Sequence, residues 1–225
     1  YIKKGKVRVT GDYCVMLGNG LEMLYSAINI NDLDNDYKKN MELKGNNIYT
    51  PLFLNNEELV CFRNPHTSQS NVLRAKNVYS NKIEKYFNLS KNTVIVNSID
   101  FAIQDILSSA DYDSDCILIS NNKTLVELGD KCFNNYKVAI NAVEADKKLY
   151  NVNNYNMYLI DKQLSKSQRY IGEVVNVGQL CLSKYWDLEN KNKDNKELLK
   201  CVDIMTVLSC IAIDLAKKLY DVDIE

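Results

Sequence analysis

A chain of 225 residues, 46% hydrophobic and 25% charged, is long enough to bury one large core or two modest ones, and it reads as a soluble globular protein. Its net charge of −1 leaves no global basic field, which counts against a free-standing nucleic-acid binder held by non-specific electrostatics. Seven cysteines, an odd number with no Cys-x-x-Cys pair, argue against a disulfide framework or a zinc site and suit reduced, buried thiols in a cytoplasmic protein.

No signal peptide opens the sequence, and the apolar stretch 202–216 is interrupted by Asp203 and Asp214, so no membrane span is expected. The sequence begins at Tyr1 without methionine, already inside a strand-like pattern, and reads as a piece of something longer. From Lys6 to about Ser120, short β-rich runs (KVRVT, ELVCF, NTVIVNSI, CILIS) alternate with Asn, Asp and Gly clusters, the pattern of a small barrel or sandwich. Within this half, residues 30–47 are polar and Asn-rich and read as a loop insertion. From about Asp161 the period becomes helical. Ile171, Val174, Val175, Gly178 and Cys181 or Leu182 share one face, as do Cys201, Met205, Leu208, Ile211, Ala212 and Leu215, with the charged linker DLENKNKDNKE between them. The expected class is α+β: a β-barrel over 1–120, then a mainly helical region over 121–225.

Near the end of the β-rich half, SSADYDSDCILIS places Asp111, Asp113 and Asp115 at alternate positions before an apolar run. Three neighbouring carboxylates disfavour one another's ionised form unless a cation sits among them. The simpler reading is a solvated acidic turn. On one extended strand, Asp111 and Asp115 would stand ~13 Å apart, too far for one ion, so a shared magnesium ion requires the chain to turn sharply around Asp113 and Ser114. Calcium in an EF-hand is excluded: Cys116 stands where that loop needs glycine, Asn122 where it needs a bidentate Glu, and strand-like residues flank it.

The segments LVCFRNPHTSQSNVLRAKNV and NTVIVNSIDFAIQDILSSADYDSDCILIS resemble the catalytic double-psi β-barrel of multisubunit RNA polymerase largest subunits, and still more the eukaryotic cellular RNA-dependent RNA polymerases. Those families carry an Arg-x-Pro segment, a β-rich run and an Asp-x-Asp-Gly-Asp loop in this order, here Arg63-Asn64-Pro65 and Asp111-Tyr112-Asp113-Ser114-Asp115. KKGKVRVTGDYCVML is similar to the strand entering that barrel, and IGEVVNVGQLCLSKYWD with CVDIMTVLSCIAIDLAKK to the paired helices after it. Two positions depart from the pattern: Ser114 replaces glycine, and Ser68-Gln69-Ser70-Asn71 replaces His-Pro-Gly-Asp.

The resemblance implies template-directed nucleotidyl transfer. Asp111, Asp113 and Asp115 would hold Mg2+, with Mn2+ as a substitute, to activate an RNA 3′-hydroxyl, while a second ion arrives with the nucleoside triphosphate. Arg63 would approach the nucleotide's ribose, and Ser109 occupies the position of a sugar-contacting asparagine; the plainer alternatives are a surface ion-pair partner for Arg63 and an ordinary turn residue for Ser109. The implied partners are a nucleic acid template, the RNA product, nucleoside triphosphates and a second barrel domain upstream in the full-length chain; without that barrel the isolated piece should be inactive. The template's identity, DNA or RNA, is not encoded in these motifs.

Other residues have plainer readings. His66 is displaced from the family's histidine position, which Ser68 occupies. Trp186, Tyr185 and Tyr170 read as core or rim aromatics, and Arg74, Lys76 and Lys82 as solvated charges. A second triplet, Asp32, Asp34 and Asp36, repeats the spacing but lies in the polar insertion, ahead of Arg63, without flanking strands. Two other function classes stand beside the polymerase: a catalytically retired barrel serving as a structural or nucleic-acid-binding module, and a metal-dependent phosphoesterase, which would need a base or nucleophile that the sequence does not offer.

Overall fold

Six short strands close into a barrel in the computed structural model, which describes residue 3 and residues 5–28, 35–146, 149, 151–215 and 219–220. The strands are β1 (Asp12–Leu17), β2 (Asn47–Tyr49), β3 (Glu58–Arg63), β4 (Leu73–Asn77), β5 (Thr93–Val96) and β6 (Cys116–Ser120). They close in the order β1-β5-β2-β4-β3-β6. β1 runs parallel to β5 and β2 parallel to β4, while the remaining neighbours are antiparallel. Closure leaves no unpaired edge. Among them lie helices α1 (Gly20–Ile28), α2 (Asn35–Lys39), α3 (Asn81–Tyr86) and α4 (Ile103–Ile106), with α5 (Lys123–Cys132) following β6.

The period-2 pattern of the predicted strands explains the core. Leu59 and Cys61 of β3, Val94 and Val96 of β5, and Ile117 and Ile119 of β6 turn into one cluster with Met16, Ile48 and Leu73. The opposite face of β5 is not wasted: Ile95 packs with Tyr49, Leu43 and Ile83 in a second cluster. Cys61, buried completely, is pushed far above the ordinary thiol range by loss of solvation, so it acts as a small apolar filler.

ELVCF, the core of NTVIVNSI, and CILIS form β3, β5 and β6. KVRVT does not form a strand: residues 6–10 make no ladder, and Val7 is 82% exposed. β1 starts after Gly11, whose φ of +148° lets the backbone pass against the Ile119 carbonyl where any Cβ would collide. The insertion at 30–47 is also not all loop: it contains α2 and the start of β2, and Met41 and Leu43 are buried.

The chain divides into two compact units, one of residues 1–64 and 70–136, the other of residues 65–69 and 137–225. The sequence placed the change at residue 120, but α5 belongs with the barrel. A Cβ on Gly129 would lie 2.9 Å from Val60 Cγ2 and 2.8 Å from Arg74 Cδ, so glycine allows the helix to approach the sheet closely. Arg74 is 8% exposed and ion-pairs with Asp130 of α5 at 2.6 Å and Glu58 at 3.1 Å, which corrects its reading as a solvated charge.

In the second unit, α6 (Asn154–Glu189) and α7 (Lys196–Asp214) pack on one another, and β7 (Ala145–Asp146) pairs with β8 (Leu219–Tyr220). α6 starts earlier than Asp161 because Asn153 caps it, its side chain accepting the Asn156 N–H at 2.8 Å. Val174 and Gly178 lie on its buried face as the period required, and Gly178 admits Met205 closely. On α7, Ile211 and Ala212 of the predicted stripe are buried, while Cys201, Met205, Leu208 and Leu215 are half-buried and Val202, Thr206, Ser209 and Cys210 complete the buried set. Thr206 and Ser209 can be buried because their hydroxyls donate to the Val202 and Thr206 carbonyls at 2.8 and 2.7 Å. Cys116 is exposed and Cys132, Cys181 and Cys201 are half-buried, so only Cys14, Cys61 and Cys210 are buried thiols as expected. Among the described residues, no helix is long and apolar enough to cross a membrane.

Candidate metal centre

The three aspartates lie on a loop between α4 and β6, and both of its ends are fixed by the barrel. At its start, Ser108 and Ser109 take φ of 56° and 58°, two successive left-handed residues that reverse the chain after α4. Ala110 then plugs into the core, 4% exposed, with its N–H donating to the Gln104 carbonyl at 3.0 Å. At its end, the Asp115 carbonyl accepts the Met16 N–H of β1 at 2.9 Å, and Ile117 is buried. The intervening segment bends instead of extending, with Ser114 at φ 101°.

That bend brings one oxygen from each of Asp111, Asp113 and Asp115 within 4.8 Å of the others. The loop also bonds to itself. The Asp111 N–H donates to Asp115 Oδ2 at 2.9 Å, and the Asp113 N–H makes a long contact of 3.4 Å with Asp111 Oδ1. Asp111 is held above the ordinary carboxylate range, chiefly by sharing a proton position with the Asp113 carboxylate, then by partial desolvation and the like charges of Asp115 and Asp113. Asp111 and Asp113 are exposed, whereas Asp115 is half-buried.

Arg63 ends β3 opposite Ile117 of β6. Its Nη2 lies 2.8 Å from Asp115 Oδ2, and its Nη1 donates to the Ser108 carbonyl at 2.9 Å. The structure therefore brings Arg63 to the acidic loop. Ser109 is exposed on the left-handed turn just before it.

One residue of this surround was missed by sequence reasoning. Asn71, 1% exposed, donates through Nδ2 to the Ile106 carbonyl at 3.1 Å, so Asn71 and Arg63 together satisfy carbonyls at the end of α4 that the helix leaves open. The only sequence signal was a polar run, Thr67 to Asn71, where a strand connection would otherwise be expected on the surface; all five residues are buried.

The plainer readings mostly hold. Tyr185 is 5% exposed and meets Trp186 edge-on at 5.2 Å, as core and rim aromatics do. Lys82 pairs with Glu42 at 2.7 Å on the surface. Of the second acidic triplet, Asp32 and Asp34 lie outside the described residues, and only the backbone of Asp36 is described.

Three oxygen donors on one loop suit a hard divalent cation. Two oxygens bound to one Mg2+ at ~2.1 Å lie at most ~4.2 Å apart, so the observed spacing needs only small side-chain rotations to close on an ion.

No family model and no curated protein matches the sequence. The solved structure of the RNA-dependent RNA polymerase QDE-1 from Thielavia terrestris shares the fold, with a TM-score of 0.56 over 94% of this chain at 15% sequence identity. This chain spans 23% of that polymerase chain.

Proposed function

We propose that this chain is the catalytic-barrel part of a cytoplasmic, template-directed RNA polymerase. The observation that carries the proposal is the convergence of Asp111, Asp113 and Asp115 on a strand-anchored loop of a barrel with a polymerase's fold. In this reading the three carboxylates hold Mg2+, or Mn2+ in its place. When bound, the ion supplies charge neutralisation and lowers the pKa of the RNA 3′-hydroxyl that attacks the nucleoside triphosphate.

The chain's own contribution is placement. Ala110 and the Met16–Asp115 backbone bond fix the loop's two ends, so little conformational entropy remains to be lost when the carboxylates close on an ion. Ser109 lies on the turn that enters the loop and Arg63 contacts the loop through Asp115 and the Ser108 carbonyl; by the family pattern both would approach the ribose. A template strand, the growing RNA and a second barrel contributing triphosphate-binding lysines complete the proposed assembly, and this chain alone would bind metal without synthesising RNA.

A second reading, a barrel that has lost catalysis, is favoured by Ser114, a non-glycine residue at φ 101° where the polymerase pattern has glycine. Primer extension separates the two. In the longer protein that joins this chain to its second barrel, Asp113→Ala is expected to abolish Mg2+-dependent nucleotide incorporation. Incorporation unchanged by that substitution refutes the polymerase assignment, and a parent protein that binds Mn2+ yet extends no primer on RNA or DNA favours the retired barrel.

A further inference from the structure

We infer that Arg63 is a positioning residue for the acidic loop, acting through Asp115 before any contact with a nucleotide. Its role toward a metal rests on the polymerase reading; its role in ordering the loop does not.

Arg63 stands at the end of β3 with its side chain only 11% exposed, and its two terminal nitrogens reach opposite ends of the loop. Nη1 holds the Ser108 carbonyl at 2.9 Å, with the Leu107 carbonyl at 3.5 Å, and Nη2 holds Asp115 Oδ2 at 2.8 Å. One planar group thus ties the left-handed turn that enters the loop to the carboxylate that leaves it.

The tie also orients Asp115. Oδ2 accepts both Arg63 Nη2 and the Asp111 N–H, so Oδ1 is the oxygen left for an ion. A partner that fixes a metal-binding carboxylate from behind is the usual arrangement around metal sites, and its loss typically weakens binding 10–100-fold. Without an ion, the guanidinium sets a positive charge against one of three crowded carboxylates. Lysine would keep that charge, but its single ammonium lacks the planar fork needed to span both groups. Nε of Arg63 is buried with no hydrogen-bond partner among the described residues, so the side chain is held by its terminal nitrogens alone.

The test uses this chain with Mn2+ alone as the probe, and compares the parent with Arg63→Lys at constant charge. Two quantities are read: hydrogen exchange of the Asp111 amide in metal-free protein, and Mn2+ affinity by paramagnetic broadening. Arg63→Lys is expected to speed that exchange at least tenfold and to weaken Mn2+ binding about tenfold, with exchange in β3 and β6 unchanged. Arg63→Gln supplies an independent arm if Arg63→Lys folds poorly: its amide cannot span both Asp115 and the Ser108 carbonyl, so it should speed the same exchange and weaken Mn2+ binding. Parent-like exchange and parent-like Mn2+ affinity in Arg63→Lys overturn the positioning role while leaving the metal site standing. A parent that binds no Mn2+ at the triad, with exchange still accelerated in Arg63→Lys, supports the tie and overturns the polymerase reading.

Discussion

Asp115 Oδ2 accepts the Asp111 amide at 2.9 Å, so one member of the acidic triplet folds the loop on which the others stand. The three carboxylates each offer an oxygen to a metal but contribute unequally to folding. Asp115→Ala leaves the mostly buried Arg63 without its counter-charge and should cost about 2–3 kcal/mol, less than for a fully buried pair because Asp115 retains some solvent. Asp113→Ala, at an exposed position, should stay within about 0.5 kcal/mol of the parent. Urea unfolding of the metal-free proteins reads both, and equal losses would contradict the asymmetry.

The crowding at Asp111 sets a pH dependence. Because its folded pKa is raised, the contribution to stability is present below the ordinary carboxylate pKa and is lost as pH rises through the folded value. In chelator, Asp111→Asn should therefore be more stable than the parent at neutral pH, and the difference should vanish in acid, where Asp111 is protonated. Melting temperatures measured from pH 3 to 8 test the sign. Mn2+ must displace the same proton, so its affinity should fall on acidification.

Ser114 carries the conformational cost of φ 101°. A non-glycine residue in that region costs of order 1–3 kcal/mol, part of which is regained as unfolded-state freedom when glycine is introduced. Ser114→Gly should raise stability by about 1 kcal/mol and keep Mn2+ binding at the triplet. A drop in stability would mean that the serine side chain holds the bend.

α5 depends on a small residue against the barrel. Gly129→Ala pushes a methyl into Val60 and Arg74, and Val60 is fully buried in a strand and cannot yield. Overpacking of this kind should cost about 1–3 kcal/mol, read by thermal unfolding and by loss of exchange protection in α5.

Cys181 and Cys201 place their sulfurs 2.9 Å apart across α6 and α7. Cys201 is pushed up to about 11, first by its hydrogen bond with Cys181 and then by burial, so thiolate is scarce at neutral pH. Diamide, whose N=N bond takes up the two thiol hydrogens, should join Cys181 to Cys201, faster at pH 9 than at pH 7. Peptide mapping without reductant should find this cross-link in preference to any involving Cys14 or Cys61, which are buried within the barrel.

The sequence by itself determined the features that depend on near neighbours. Alternating Ile117 and Ile119, and the apolar run around Val94 and Val96, specify strands because a two-residue period needs only local side-chain direction. The same reasoning required the acidic triplet to sit on a bend, since three alternate aspartates on one extended strand point past any single ion. KVRVT carried the same β pattern and formed no strand, because a strand also needs a partner and β1 pairs with both of its neighbours through residues after Gly11.

Tertiary structure alone decided which distant residues complete the site. Arg63 and Asp115 are 52 positions apart, and no local period records that the closure of β3 onto β6 brings them together. Asn71 reaches the end of α4 in the same way, from a polar run that looks exposed in one dimension. β4 reads LRAKN and is nonetheless a barrel strand, because Arg74 is neutralised by Glu58 and Asp130. On α7, Thr206 and Ser209 enter the buried face because the helix backbone accepts their hydroxyl protons. In each case a buried polar group is stable only when its partner is present; for Thr206 and Ser209 that partner is the local helix backbone, and for Arg63, Asn71 and Arg74 it is assigned by the way the chain folds back on itself.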